Sequence, residues 1–139
     1  MQTNVKSGEL VFTAKEDLTG KEGRLLVLSN DSGKAKVGLP DNATDVALFV
    51  LTDVNGKAGG PVSCLPLSPD RNVRVLLSGT CNPGAKLVLA TPNGTVDGAL
   101  IALPATAGTY RVVGIAEEAG VDGQMVRIRP FVESVTVTE

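Results

Sequence analysis

The sequence predicts an all-β fold: a small single-domain β-barrel or β-sandwich of about ten short strands with little helix. Three observations predict it. The chain of 139 residues carries 16 glycines and 8 prolines, scattered at short intervals instead of pooled in one linker, as turn residues are in all-β domains. Between them lie short runs rich in Val, Leu, Ile and Thr, the residues that fit a pleated, half-buried surface. Helix signals are thin. The best of them, "ATDVALFVLTDV" (Ala43–Val54), is apolar through a continuous centre, flanked by Pro40 and Gly56 and enriched in β-branched and aromatic residues, which favours a buried strand.

The elements follow in order. "ELVFTA" (Glu9–Ala14) comes first, after a polar start, and "GRLLVLS" (Gly23–Ser29) opens on a glycine. "DVALFVLT" (Asp45–Thr52) and "GPVSCLPL" (Gly60–Leu67) lie on either side of an Asn55-Gly56 turn signal. "NVRVLLSG" (Asn72–Gly79) and "AKLVLAT" (Ala85–Thr91) are separated by "CNPG", whose Pro83-Gly84 is a turn dipeptide that Asn82 helps to open. "ALIALP" (Ala99–Pro104) follows the Asn93-Gly94 turn, and "TYRVVGIA" (Thr109–Ala116), "QMVRIRPF" (Gln124–Phe131) and "VTVT" (Val135–Thr138) complete the set. Spacings of this order suit a barrel or sandwich. The whole of 1–139 reads as one β domain, with 1–14 as a possible N-terminal arm for strand exchange with a partner.

Gly108–Phe131, "GTYRVVGIAEEAGVDGQMVRIRPF", tests that reading, because a strand, a glycine loop and a helix would mark a cofactor site instead. A dinucleotide fingerprint needs G-x-G-x-x-G straight after a strand and a long helix behind it. Gly114, Gly120 and Gly123 have the wrong spacing, and in "MVRIRP" Val126 and Ile128 alternate with Arg127 and Arg129 at a period of two. The segment is therefore read as a hairpin, with at most one helical turn at Ala116–Ala119 before Gly120 and Gly123 end it.

Composition bears on function. Hydrophobic residues make up 42% and charged residues 20%, with a formal charge of −2 and a pI near 5.2. That balance belongs to a folded domain and gives phosphate-backbone binding little to act on, so no nucleic acid is expected as a partner. There is no histidine, the commonest general acid–base and metal ligand, and aromatics are only 3% of residues. No run of apolar residues reaches the length of a membrane span, and no export signal is read at the start of the chain. Cys64 and Cys81 lack the spacing of a redox or zinc pair and read as two buried thiols, with a cross-strand disulfide as the alternative were the chain exported.

Each candidate for chemistry has a structural reading beside it. Glu117, Glu118 and Asp122 crowd one turn, yet adjacent residues on an extended chain point to opposite faces and do not build a facing acid pair. "DVNGKAGG" (Asp53–Gly60) starts at calcium-like spacing but lacks the distal Glu of an EF-hand loop. "SGTCNPGAK" (Ser78–Lys86) is neither a phosphate loop nor a nucleophile elbow. Asn30, Asn42 and Asn93 open N-x-[ST] sequons but read as turn asparagines. Arg71, Arg74, Arg111, Arg127 and Arg129 would gather on one surface if their strands are neighbours, as an interface would use them. No catalytic, cofactor-binding or metal residues are assigned, no enzyme activity is expected, and no interface residues are singled out.

Three stretches carry a resemblance: "KEDLTGKEGRLLVL" (Lys15–Leu28), "VRVLLSGTCNPGAKL" (Val73–Leu87) and "AGTYRVVGIAEEAGVDGQMVRIRP" (Ala107–Pro130). In them the chain resembles the capsid cement, or head decoration, proteins of tailed bacteriophages. The resemblance implies a virion protein made in the host bacterial cytoplasm. It would bind the outer surface of an expanded capsid, bridge major capsid protein subunits, and cluster as a homotrimer at three-fold and quasi-three-fold positions, with no cofactor and no membrane contact. Two other classes stay open at this point, a ligand- or carbohydrate-binding β-sandwich and a small β-barrel enzyme using carboxylates alone.

Overall fold

The protein is described by a computed structural model that covers residues 8–138. Ten strands run β1 Leu10–Ala14, β2 Leu25–Asp31, β3 Lys34–Gly38, β4 Phe49–Leu51, β5 Pro61–Pro66, β6 Val73–Leu76, β7 Lys86–Leu89, β8 Leu100–Ala102, β9 Gly108–Ala116 and β10 Met125–Val137. There is no helix among the described residues. The first five strands close into a barrel in the order β1-β3-β2-β4-β5, and the last five form an open sheet in the order β6-β10-β9-β7-β8. The all-β expectation holds, with one barrel and one open sheet side by side.

The two halves repeat one unit. Matching β1 to β6, β2 to β7, β3 to β8, β4 to β9 and β5 to β10 turns the barrel order, read around the ring, into the sheet order. Individual backbone bonds recur as well. Gly59 N donates to Ala14 O (2.9 Å) as Gly123 N donates to Leu77 O (2.8 Å). Leu18 N donates to Gly56 O (2.6 Å) as Cys81 N donates to Gly120 O (3.1 Å). Gly23 N donates to Leu51 O and Gly84 N to Ala116 O, both at 2.8 Å. Gly23 and Gly84 hold φ of 83° and 84°, a left-handed conformation that a side chain resists and that both halves need to enter their second strand. Even the parallel β1–β3 pair that closes the barrel has a remnant in the second half, a single parallel bridge between Leu77 and Leu100.

Two cores result, and β2 and β4 are the wall between them. Leu25 and Val50 lie in the core of the sheet with Val75, Leu87, Leu100, Val126 and Ile128. Their neighbours Leu26, Phe49 and Leu51 lie in the barrel core with Leu18, Val37, Val62 and Cys64. Successive side chains of a strand point to opposite faces, so a strand buried on both faces must be apolar without interruption. That is why Leu25-Leu26 and Phe49-Val50-Leu51 show no alternation. Phe12 and Phe49 meet inside the barrel with ring centroids 4.9 Å apart.

Several elements differ from their sequence reading. β3 was not anticipated; it follows a tight turn at Ser32 and Gly33, both with positive φ, and pairs back on β2. The stretches read as separate strands at Gln124–Phe131 and Val135–Thr138 are one strand, β10, interrupted by a register shift between Pro130 and Glu133. Gly108–Phe131 is a hairpin, since β9 and β10 pair antiparallel. The one helical turn allowed at Ala116–Ala119 does not form, because Ala116 closes β9 and the chain then turns to bridge Gly120 to Cys81. Of the segment 1–14, residues 1–7 lie outside the described residues, and Leu10–Ala14 are β1, paired with β5 on one side and β3 on the other.

Candidate functional site

Period two on β6 and β10 sorts their side chains. Val73, Val75, Val126 and Ile128 turn into the core, so the intervening Arg74, Arg127 and Arg129 must share the outer face. Arg127 lies directly across from Arg74 in the register, and three cations so close would repel. The two glutamates at the end of β9 occupy the space among them. Glu117 Oε2 accepts from Arg129 Nε at 3.0 Å, and Arg127 Nε lies 3.4 Å from its other oxygen. Glu118 Oε2 is 3.2 Å from Arg74 Nη1 and also accepts from the backbone N of Arg127 at 3.2 Å. Burial acts to raise the Glu117 carboxyl. Hydrogen bonds from Asn72 and Arg129, and the charges of Arg129 and Arg127, outweigh burial and hold it below its usual range.

Glu117 and Glu118 thus turn to one face, unlike neighbours on an extended strand, because β9 ends at Ala116, and each carboxylate is taken by arginine. Asp122 lies apart from the glutamates' partners and accepts from Gly79 N at 2.8 Å, tying the hairpin end to the loop after β6. Asp53 accepts from Asn55 N at 3.1 Å and from Ser63 N at 3.4 Å, so the stretch with calcium-like spacing is a turn built on its own carboxylate. Among the described residues no three His, Cys, Asp or Glu side chains gather as a metal site would need. Ser78–Lys86 is the second half's version of the lead-in to β2, with Gly84 at its turn. Asn30 accepts from Gly33 N at 2.7 Å and Asn93 from Thr95 N at 2.8 Å, and Asn42 N donates to Asp45 at 3.1 Å, so all three sit in turns. Cys64 and Cys81 are both buried and unbonded. Burial, helped by the charge of Glu9, pushes the Cys64 thiol up to about 11, which keeps it in the unreactive thiol form.

Of the five arginines singled out by sequence, three share the face just described. Arg71 turns instead to the Pro66 carbonyl at 2.9 Å. Arg111 is elsewhere, in a shallow groove lined by Val46 and Leu48 from the loop before β4 and by Pro130, Phe131 and Val132 at the bulge of β10. Four large apolar side chains of this groove are well exposed, Val46 at 47%, Leu48 at 42%, Phe131 at 43% and Val132 at 66%. Sequence reasoning did not find them. A bulge places consecutive residues, Phe131 and Val132, both outward, and nothing in a period-two pattern announces where the period breaks.

No protein-family model matches the chain, and no curated protein sequence matches it. Among solved structures the chain is similar to the N base of the head fiber gp8.5 of bacteriophage phi29, with a TM-score of 0.55 and 21% sequence identity. The likeness covers 94% of this chain and 97% of that one, so it takes in both halves. It establishes that the two share a fold.

Proposed function

We propose that this chain is a structural protein of a tailed-phage virion that binds the outer surface of the expanded capsid and stabilises it by bridging major capsid protein subunits. The observation that carries the reading is the fold likeness to the base of a phage head fiber along nearly the whole chain. The resemblance of Lys15–Leu28, Val73–Leu87 and Ala107–Pro130 to capsid cement proteins supports it independently. Glu117, Glu118 and Asp122 are taken up by Arg74, Arg127, Arg129 and a backbone amide, as suits a binding module, and no enzymatic step is proposed. Clustering as a homotrimer would make each weak contact with the shell raise the effective concentration of the next.

Co-sedimentation with expanded, undecorated capsids tests the reading, with unexpanded procapsids alongside. Saturable binding to the expanded shell alone, at a stoichiometry matching its three-fold positions, is the expected result. Failure to bind either shell would sink it.

A further inference from the structure

Among the described residues the outer edge of β10 is unpartnered over half its length. β6 covers Met125–Ile128 and ends there, whereas β9 continues beside β10 as far as Val137. Among the described residues Phe131–Val137 makes no backbone hydrogen bond on the side away from β9. Exposed edges are usually guarded by charge or proline because they template strand addition. Here the single charged side chain of "FVESVTV", Glu133, is drawn back across the sheet to Lys86 at 2.6 Å, and Pro130 stands before the free stretch. The edge is open, β-prone and unguarded.

The apolar groove meets this edge at Phe131 and Val132. Arg111, on the strand paired with β10, lies in it and makes no ion pair or side-chain hydrogen bond among the described residues. An unpaired arginine beside exposed aliphatic and aromatic side chains is what interface anchors use, because the planar fork takes a carboxylate while the stem packs on apolar surface. The groove holds about 110 Å³, below the roughly 300–1,000 Å³ of small-molecule sites, so it suits a side chain or two of a larger partner.

We propose that this groove and the free edge of β10 together receive an extended segment of the shell protein. The segment adds as a strand along Phe131–Val137, sets a carboxylate against Arg111, and places apolar side chains between Val46, Leu48, Phe131 and Val132. Backbone bonds to the edge supply affinity, and the carboxylate and apolar side chains supply selectivity. The positive charge of Arg111 inside an apolar surface picks out an acidic and apolar segment over a basic one. The assignment rests on the capsid-binding reading above.

Co-sedimentation with expanded capsids separates the two. Arg111→Glu and Val132→Asp are compared with wild type and with Val121→Asp, which alters an equally exposed valine (61%) in the turn between β9 and β10. Thermal melts check that all three variants fold. The expected result is a loss of roughly tenfold or more in affinity for Arg111→Glu and Val132→Asp, the size typical of a lost interface anchor, with Val121→Asp unchanged. Wild-type binding that both groove variants retain would overturn the docking site and leave the capsid reading standing. Absence of wild-type binding would remove both. If instead the groove variants change the sedimentation coefficient of the free protein, the groove joins copies of this chain and the assignment to the shell protein is overturned.

Discussion

In the first half β1 lies parallel to β3 along Thr13–Ala14 and Lys36–Val37, and the sheet closes on itself. In the second half the equivalent β6 and β8 meet only where Leu77 bridges Leu100. The gap is filled from the other half. Leu76 N donates to Gly23 O and Leu25 N to Gly98 O, both at 2.8 Å, while Arg24 Nη1 donates to the carbonyls of Thr95 and Asp97 at 2.9 and 3.0 Å. The chain entering β2 thus lies in the open seam of the second sheet and drops Leu25 into its core. One repeated unit has become two unequal parts, a barrel whose core comes from its own strands and a sheet whose core is completed by Leu25 and Val50. The difference teaches that strand order alone does not close a barrel; the seam must also be long enough, and β8 has three residues where β3 has five.

The sharpest way to break this comparison is to remove one leucine at a time from the dividing wall. Leu25→Ala and Leu26→Ala delete the same atoms from adjacent, fully buried positions facing different cores. Each should cost about 2–5 kcal/mol. Amide hydrogen exchange should then place the loosening of Leu25→Ala in β6–β10 and that of Leu26→Ala in β1–β5. Loss of protection in the same strands for both would mean that the two cores open as one.

A smaller effect tests the equivalence of the halves. A Cβ at Gly56 would lie 2.6 Å from a Val62 methyl and 3.1 Å from Leu18, and one at Gly120 would lie 2.7 Å from Leu77 and 3.2 Å from Val126. Both glycines let a turn approach the matching strand closely. Gly56→Ala and Gly120→Ala should each destabilise by about 1–3 kcal/mol, the usual range for overfilling a packed site. Denaturant midpoints measure it, and a neutral substitution at either position would break the correspondence there.

The smallest effect belongs to the charged face of β6 and β10. Glu117 is held below its ordinary value of 4.5 in the folded protein, so its contribution to stability is complete above that value and lost as pH falls through the depressed one. Thermal midpoints followed through and below pH 4.5 should fall more steeply for wild type than for Glu117→Gln. Identical slopes would mean that the pairing with Arg127 and Arg129 adds nothing to folding.

Much of the fold was legible because it is written locally. The alternation of "MVRIRP" marks a strand with one wet face, and Asn93-Gly94 and Pro83-Gly84 mark turns that the structure contains. The repeat was not read from the sequence; once the strand order shows it, "GRLLVL" and "GAKLVL" at Gly23–Leu28 and Gly84–Leu89 prove to be its short matching trace. β3 was hidden because "KAKVG" has little of the β-branched content that marks a strand; its pairing with β2 and β1 creates it. Of the candidate surfaces, the five arginines were visible as residues, whereas the company each one keeps was not. Arg129 and Arg111 both sit on strands of one sheet, and one is neutralised by Glu117 while the other has no ion pair among the described residues.

The sequence by itself determined the fold class, the positions of most strands and turns, and which residues between Val126 and Arg129 face water. Those follow from backbone preference and the two-residue period, which act over a few neighbours. The tertiary structure decided that one sheet closes and the other stays open, that β4 and the start of β2 at Leu25-Leu26 are buried on both faces, and that among the described residues the edge of β10 is left free beside Arg111. Each of these depends on segments far apart in the chain, whose pairing is selected by the fit of whole strands against one another.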